Sequence, residues 1–201
     1  MDKRFENLTK LPSEPAAKML AEQNAKLETP LSAPASASIG TVLEELETKD
    51  APIDFLRLMS VVLPARERVW WACLAARDIV GQGAENATPS LAAAEAWVFQ
   101  PTDENREAAI ASLDYAPVQD DTVNCALSVM YADGTLGPGE MAQYPGPAGG
   151  SSVAAFAMNI EALGKKMDQF DSYVRLLADR ALDIAKGGNG VFGASAKKQE
   201  G

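Results

Sequence analysis

Apolar residues along this chain return every three to four positions, and no run alternates long enough to specify a strand. The spacing therefore predicts an all-α protein of about seven or eight domain helices, arranged as a compact bundle or a short array of antiparallel helical hairpins. Phe55, Leu58, Met59 and Val62 mark one stripe, over residues 52–63, with Asp50 expected as cap and Pro52 in the first turn. Pro64 breaks the chain there and opens a helix to about Val80. Thr88-Pro89 and Pro101-Thr102 are start signals for helices ending near Gln100 and Tyr115. Further helices are expected over 119–132, over 151–163, and over 165–186 with Met167, Phe170, Val174, Leu177, Ala181 and Ile184 on one face.

Three segments lack this regularity. Residues 1–40 read as a mobile N-terminal segment with one weak helix after Ser13-Glu14-Pro15 and a small-residue linker over 29–40. The helical domain is expected over 41–188, opened by Thr41, and residues 189–201 read as a disordered tail. Within the domain, residues 133–150 form the one long irregular loop, and loops of that length are usually functional or disordered. Its glycine runs match neither a P-loop nor a dinucleotide fingerprint, whereas Met141 and Tyr144 offer a contact surface for a partner.

The stretch 63–77, LPARERVWWACLAAR, organises the rest. On a helical wheel Val69, Cys73, Ala76 and Val80 share one face, with Arg66, Trp70 and Arg77 at its edge. Trp71 falls on the other side with Glu67, Ala75 and Asp78. A helix with an indole on each side is either central or carries an exposed aromatic patch. Glu95 lies among Leu91, Val98 and Phe99, and Arg106 shares a stripe with Ile110 and Leu113. Charges in apolar stripes need partners, so Glu95 is expected to pair with Arg77 first, then with Arg66 or Arg106. Two readings of Arg66, Trp70, Arg77, Glu95 and Arg106 stay open: ion pairs that fix helix register, or an arginine–tryptophan pocket for an anion.

Composition narrows the chemistry. The apolar share is 47%, too high for a disordered chain, and the formal net charge is −10, which argues against nucleic acid or an anionic membrane as partner. The absence of histidine removes the commonest general base, and two cysteines alone make no zinc site. Asp103, Glu104 and Glu107 resemble a cluster but occupy a first helical turn, where the macrodipole favours acids. No cofactor, metal or catalytic residue is nominated. With no apolar leader and no long apolar run, the chain reads as cytoplasmic and without membrane insertion, Cys73 being a buried small hydrophobe.

The segment FLRLMSVVLPARERVWWACLAAR, the alanine-rich helix ending at Trp97, the following PTDENREAA and the closing ALDIAKGG resemble an uncharacterised bacterial family of all-helical proteins. The resemblance covers about residues 41–188, and its most specific parts are LPxRExVWWACLxAR and PTxENRxAA. The family carries no catalytic residues to transfer. Its members occur near type VI secretion components, which implies an adaptor, chaperone or accessory role. The expectation is thus a non-enzymatic interaction module that docks another protein on a groove lined by Trp71 and Asp78, near Met141 and Tyr144. The alternatives are an anion or small-molecule binder, conceivably an enzyme, using Arg66, Trp70 and Arg77, and a homo-oligomer sealed by Trp71 and the last helix.

Overall fold

Short capping signals decide where this chain turns into helix. Thr88 Oγ1 accepts the Leu91 amide at 3.2 Å, and Thr102 Oγ1 accepts the Asn105 amide at 3.3 Å. The computed structural model describes residues 3–192. Among them are nine α-helices: α1 (Ala16–Glu22), α2 (Ile39–Thr48), α3 (Pro52–Val62), α4 (Ala65–Val80), α5 (Pro89–Phe99), α6 (Asp103–Asp114), α7 (Val123–Met130), α8 (Gly150–Gly164) and α9 (Phe170–Ala185). The described residues contain no strand, only a single antiparallel bridge between Thr135 and Pro145. The all-α expectation is met.

Several boundaries move, each for a local reason. Ser38, not Thr41, opens α2, because its hydroxyl accepts the Thr41 amide at 3.2 Å. Asp50 does not cap α3: its backbone takes the left-handed region at φ 50°, and Ala51 holds the N-cap position. α7 starts at Val123 because the Asp120 carboxylate takes both the amide and the hydroxyl of Thr122, making a turn. α9 starts at Phe170, since residues 167–169 tighten into a 3-10 turn and leave Met167 63% exposed, off the stripe assigned to it.

α4 is the axis of the domain. It packs against α5, α7, α8 and α9, and every residue from Val69 to Ala76 except Trp70 is buried. α3 lies against α1, α2, α8 and α9, while α5, α6, α7 and α8 follow one another as packed neighbours. Small residues let the helices approach closely: Ala72, Ala75, Ala76, Ala94, Ala109, Ala126, Ala155 and Ala162 are all fully buried.

The chain ahead of Thr41 corrects the expectation of a loose segment. Phe5 is buried beside Phe55, with ring centroids 6.2 Å apart. The Lys10 amide bonds the Ala185 carbonyl at 2.9 Å, and the Ala16 amide bonds the Ala37 carbonyl at 3.2 Å. Residues 29–33, read as linker, donate amides to acids of the domain: Thr29 to Asp54, and Ser32 and Ala33 to Glu45. Hydrogen bonds from Lys49, then Ser32 and Ala33, hold the Glu45 carboxyl down at about 2. This strap also crosses the entry to α8. Gly149 has φ 73°, and a Cβ there would sit 2.3 Å from the Gln23 carbonyl oxygen, so only glycine permits the crossing. The tail expected from residue 189 begins as an ordered turn over 187–190; residues 193–201 lie outside the described residues.

The 133–150 loop closes on itself through the Leu136 amide on the Tyr144 carbonyl at 3.0 Å and the Gly146 amide on the Gly134 carbonyl at 2.8 Å. Arg106 anchors its root from α6.

Candidate functional site

The two adjacent indoles take opposite environments, in the reverse of the expected sense. Trp71 is fully buried and donates its Nε1–H to the Leu177 carbonyl at 3.0 Å, tying α4 to α9. It lines no groove, because α9 covers the helix side that the wheel left without a neighbour. Trp70 is the half-buried one, at the edge of α4. It faces Phe99, with ring centroids 6.3 Å apart and planes tilted by 59°. Phe99 is 70% exposed, away from the apolar face the wheel gave it. It is the last residue of α5, and no following turn of helix shields it.

Around this pair lies a shallow cleft of about 340 Å³, lined by Arg66, Glu67, Trp70, Val98, Phe99, Ile184, Gly188 and Asn189. Each wall is fixed from the backbone. The Trp70 Nε1–H donates to the Asn189 carbonyl at 2.7 Å, which sets the indole's angle. Asn189 is held by the turn that ends α9: the Gly188 amide bonds the Asp183 carbonyl, and the Gly190 amide bonds Asp183 Oδ2, both at 2.8 Å. Gly190 has φ 69°, and a Cβ there would come within 2.9 Å of Ile184 and Leu74. Arg66 donates Nε–H to the Val98 carbonyl at 2.6 Å, so its guanidinium lies along the end of α5. Glu67 receives Lys10 at 2.9 Å. The floor is apolar and the rim carries one charge of each sign.

The other nominated charges turn inward and stay apart from this cleft. Arg77 forks onto Glu95 with bonds of 2.7 and 2.6 Å, and its Nη1 donates to the carbonyls of Gly81 and Gly83. The hydrogen bond to Glu95 raises the Arg77 pKa further. Glu95 thus pairs with Arg77; Arg66 and Arg106 do not join them. Arg106 instead meets Asp133, the Met130 carbonyl and Thr135. Burial works to raise the Asp133 pKa, but hydrogen bonds from Thr135 and Arg106 outweigh it and leave the carboxyl below its ordinary range.

Asp78, expected at a docking surface, belongs to an internal triad between α4 and α9. It accepts the Tyr173 hydroxyl at 2.8 Å and both terminal nitrogens of Arg180. Burial, then the nearby Asp78 charge, pushes the Tyr173 hydroxyl pKa up. Met141 and Tyr144 are 44% and 51% exposed on the loop, and neither borders the Trp70 cleft.

Cys73 and Cys125 are buried free thiols, and burial followed by the neighbouring Cys125 pushes the Cys73 thiol up. Among the described residues no group of three or more Cys, Asp or Glu side chains is placed to hold a metal ion, and no helix is long and apolar enough to cross a membrane. A larger cleft, of about 770 Å³ between the α2–α3 corner and α9, is spanned by Arg4 bridging Glu47 and Asp179 and involves no nominated residue.

Buried ion pairs that join helices, an alanine-packed axis and a small aromatic surface mark this all-helical domain. Residues 42–185 match the family of unknown function DUF6931, and the chain belongs to that family. No curated protein and no solved structure matches it.

Proposed function

We propose that the domain is an interaction module and that a partner protein seats an apolar anchor side chain in the Trp70–Phe99 cleft. One observation carries the reading: α5 ends on an aromatic ring that is 70% exposed against a half-buried indole whose angle is already fixed. Tryptophan and arginine dominate binding energy at interfaces, and a fixed ring costs little ordering entropy on contact. Arg66 at the rim adds a donor fork beside the apolar floor. The sequence resemblance to proteins encoded beside type VI secretion components makes an accessory or adaptor role in such an assembly the first to test. The domain would act there by contact.

A photo-crosslinking residue placed at Phe99 in its native cells tests this directly. The expected result is a defined protein adduct from position 99 and none from Tyr115, which is 83% exposed and lies outside the cleft. Identical adducts from both positions, or none from Phe99, would overturn the proposal.

A further inference from the structure

α8 is apolar on every side, yet only part of its surface is covered. Its 15 residues include one charged side chain, Glu161. A helix of that composition is ordinarily enclosed by its neighbours. Here α4 and α7 cover the inner side, while Val153, Phe156 and Ile160 follow at i, i+3 and i+7 on the outer one. Val153 is 62% exposed. Phe156 and Ile160 line an apolar trough of about 370 Å³ together with Ile53 of α3, Met167 and Phe170. Arg57, the charged residue in its wall, is already engaged: its guanidinium lies 4.6 Å from the centre of the Phe156 ring and 3.5 Å from Asp54.

The trough runs on into an acidic stretch. Ile53 and Phe170 also line the cleft between the α2–α3 corner and α9, where Glu47, Asp50, Asp171 and Asp179 face only Arg4 and Arg175. The chain itself shows what this stretch accepts. Arg4 reaches Glu47 at 2.9 Å and Asp179 at 2.6 Å, and Phe5 next to it is buried against Phe55. A guanidinium beside an apolar ring is thus already seated there. Asp50 and Asp171 have no cation paired with them among the described residues.

Charge decides between the possible occupants. A second copy brings the same net charge of −10 and the same acids, and an anionic lipid surface is opposed in the same way. A basic segment meets neither obstacle. We propose that the face formed by α3, α8 and α9 docks a basic amphipathic helix of a partner protein. Its apolar side chains rest on Phe156, Ile160 and Met167, and its lysines or arginines reach Asp50 and Asp171. The Trp70 cleft shares no lining residue with this face, so either surface can bind without the other.

The test titrates the full chain with three synthetic helical peptides of equal length and follows the Ile160 methyl signals by NMR. One peptide carries a leucine stripe flanked by lysines, the second has glutamates for the lysines, and the third has glutamines for the leucines. Saturable shifts are expected from the leucine–lysine peptide alone. Met167→Lys, at a site 63% exposed and therefore safe for folding, should weaken that binding about tenfold. Asp50→Asn with Asp171→Asn should weaken it as well, and more at low salt than at high. No response to the leucine–lysine peptide would overturn the proposal. So would equal binding of the glutamine–lysine peptide, which marks charge attraction alone, or equal binding of the leucine–glutamate peptide. Sedimentation showing a dimer that Met167→Lys dissolves would overturn it in favour of a second copy.

Discussion

Arg77, near the C-terminal end of α4, forks onto Glu95 at 2.7 and 2.6 Å, whereas Arg68, nine residues earlier on the same helix, meets only backbone carbonyls. Both are well shielded from water, and both remain charged at neutral pH. Their surroundings act on them oppositely: the hydrogen bond to Glu95 raises the Arg77 pKa, while burial pulls that of Arg68 down to about 10. The difference separates a charge paired with a carboxylate from one that caps the C-terminal carbonyls of a helix. The first joins α4 to α5, and the second joins α4 to the end of α3.

Three measurements probe that contrast. Glu95→Gln should have the largest effect, about 3 kcal/mol lost in urea unfolding, because it strands the Arg77 fork in a site with little water. Arg68→Met should cost less, about 1 kcal/mol, since losing two carbonyl bonds is partly offset by removing a buried charge. A larger loss for Arg68→Met than for Glu95→Gln would break the comparison.

The smallest effect belongs to the more exposed pair of Arg106 with Asp133. The Asp133 carboxyl lies below its ordinary 3.8, so its contribution is fully present above that pH and is lost as pH falls through the lower folded value. Hydrogen exchange of the Thr135 amide, which donates to Asp133 at 2.9 Å, should therefore gain protection loss only at acid pH. Protection that is already independent of pH below 3.8 would remove this pair from the paired class.

What the sequence made legible was whatever depended on neighbours in the chain. Thr88 and Thr102 cap helices at the Thr88-Pro89 and Pro101-Thr102 signals, and Glu95 meets Arg77 because an apolar stripe carried each charge. A wheel, however, gives sides without saying which side acquires a neighbour. Trp71 looked like the outward indole until α9 covered it, and Trp70 looked inward although α5 ends before shielding it. Arg68 went unnoticed because its environment arises where the end of α3 meets the start of α8. The signal was present in one respect: it precedes Trp71 and Ala72 by three and four positions, in a row that is otherwise apolar. The strap over residues 3–38 gave only a weak periodic signal, one short helix, because backbone amides received by Asp54 and Glu45 hold much of the rest.

The turn that presents Asn189 to Trp70 has a consequence for how this protein can be divided. Likeness to other chains runs from residue 42 to 185, yet Phe5, Lys10 and Gln23 clasp the domain from ahead of that span, and Asn189 and Gly190 clasp it from behind. A fragment cut at residues 42 and 185 would therefore lose the carbonyl that aims its half-buried indole and bare the apolar floor beneath the strap. The span that matches the family is smaller here than the span that packs as one body. Residues 42–185 would therefore keep this packing only with the segments on either side of them in place.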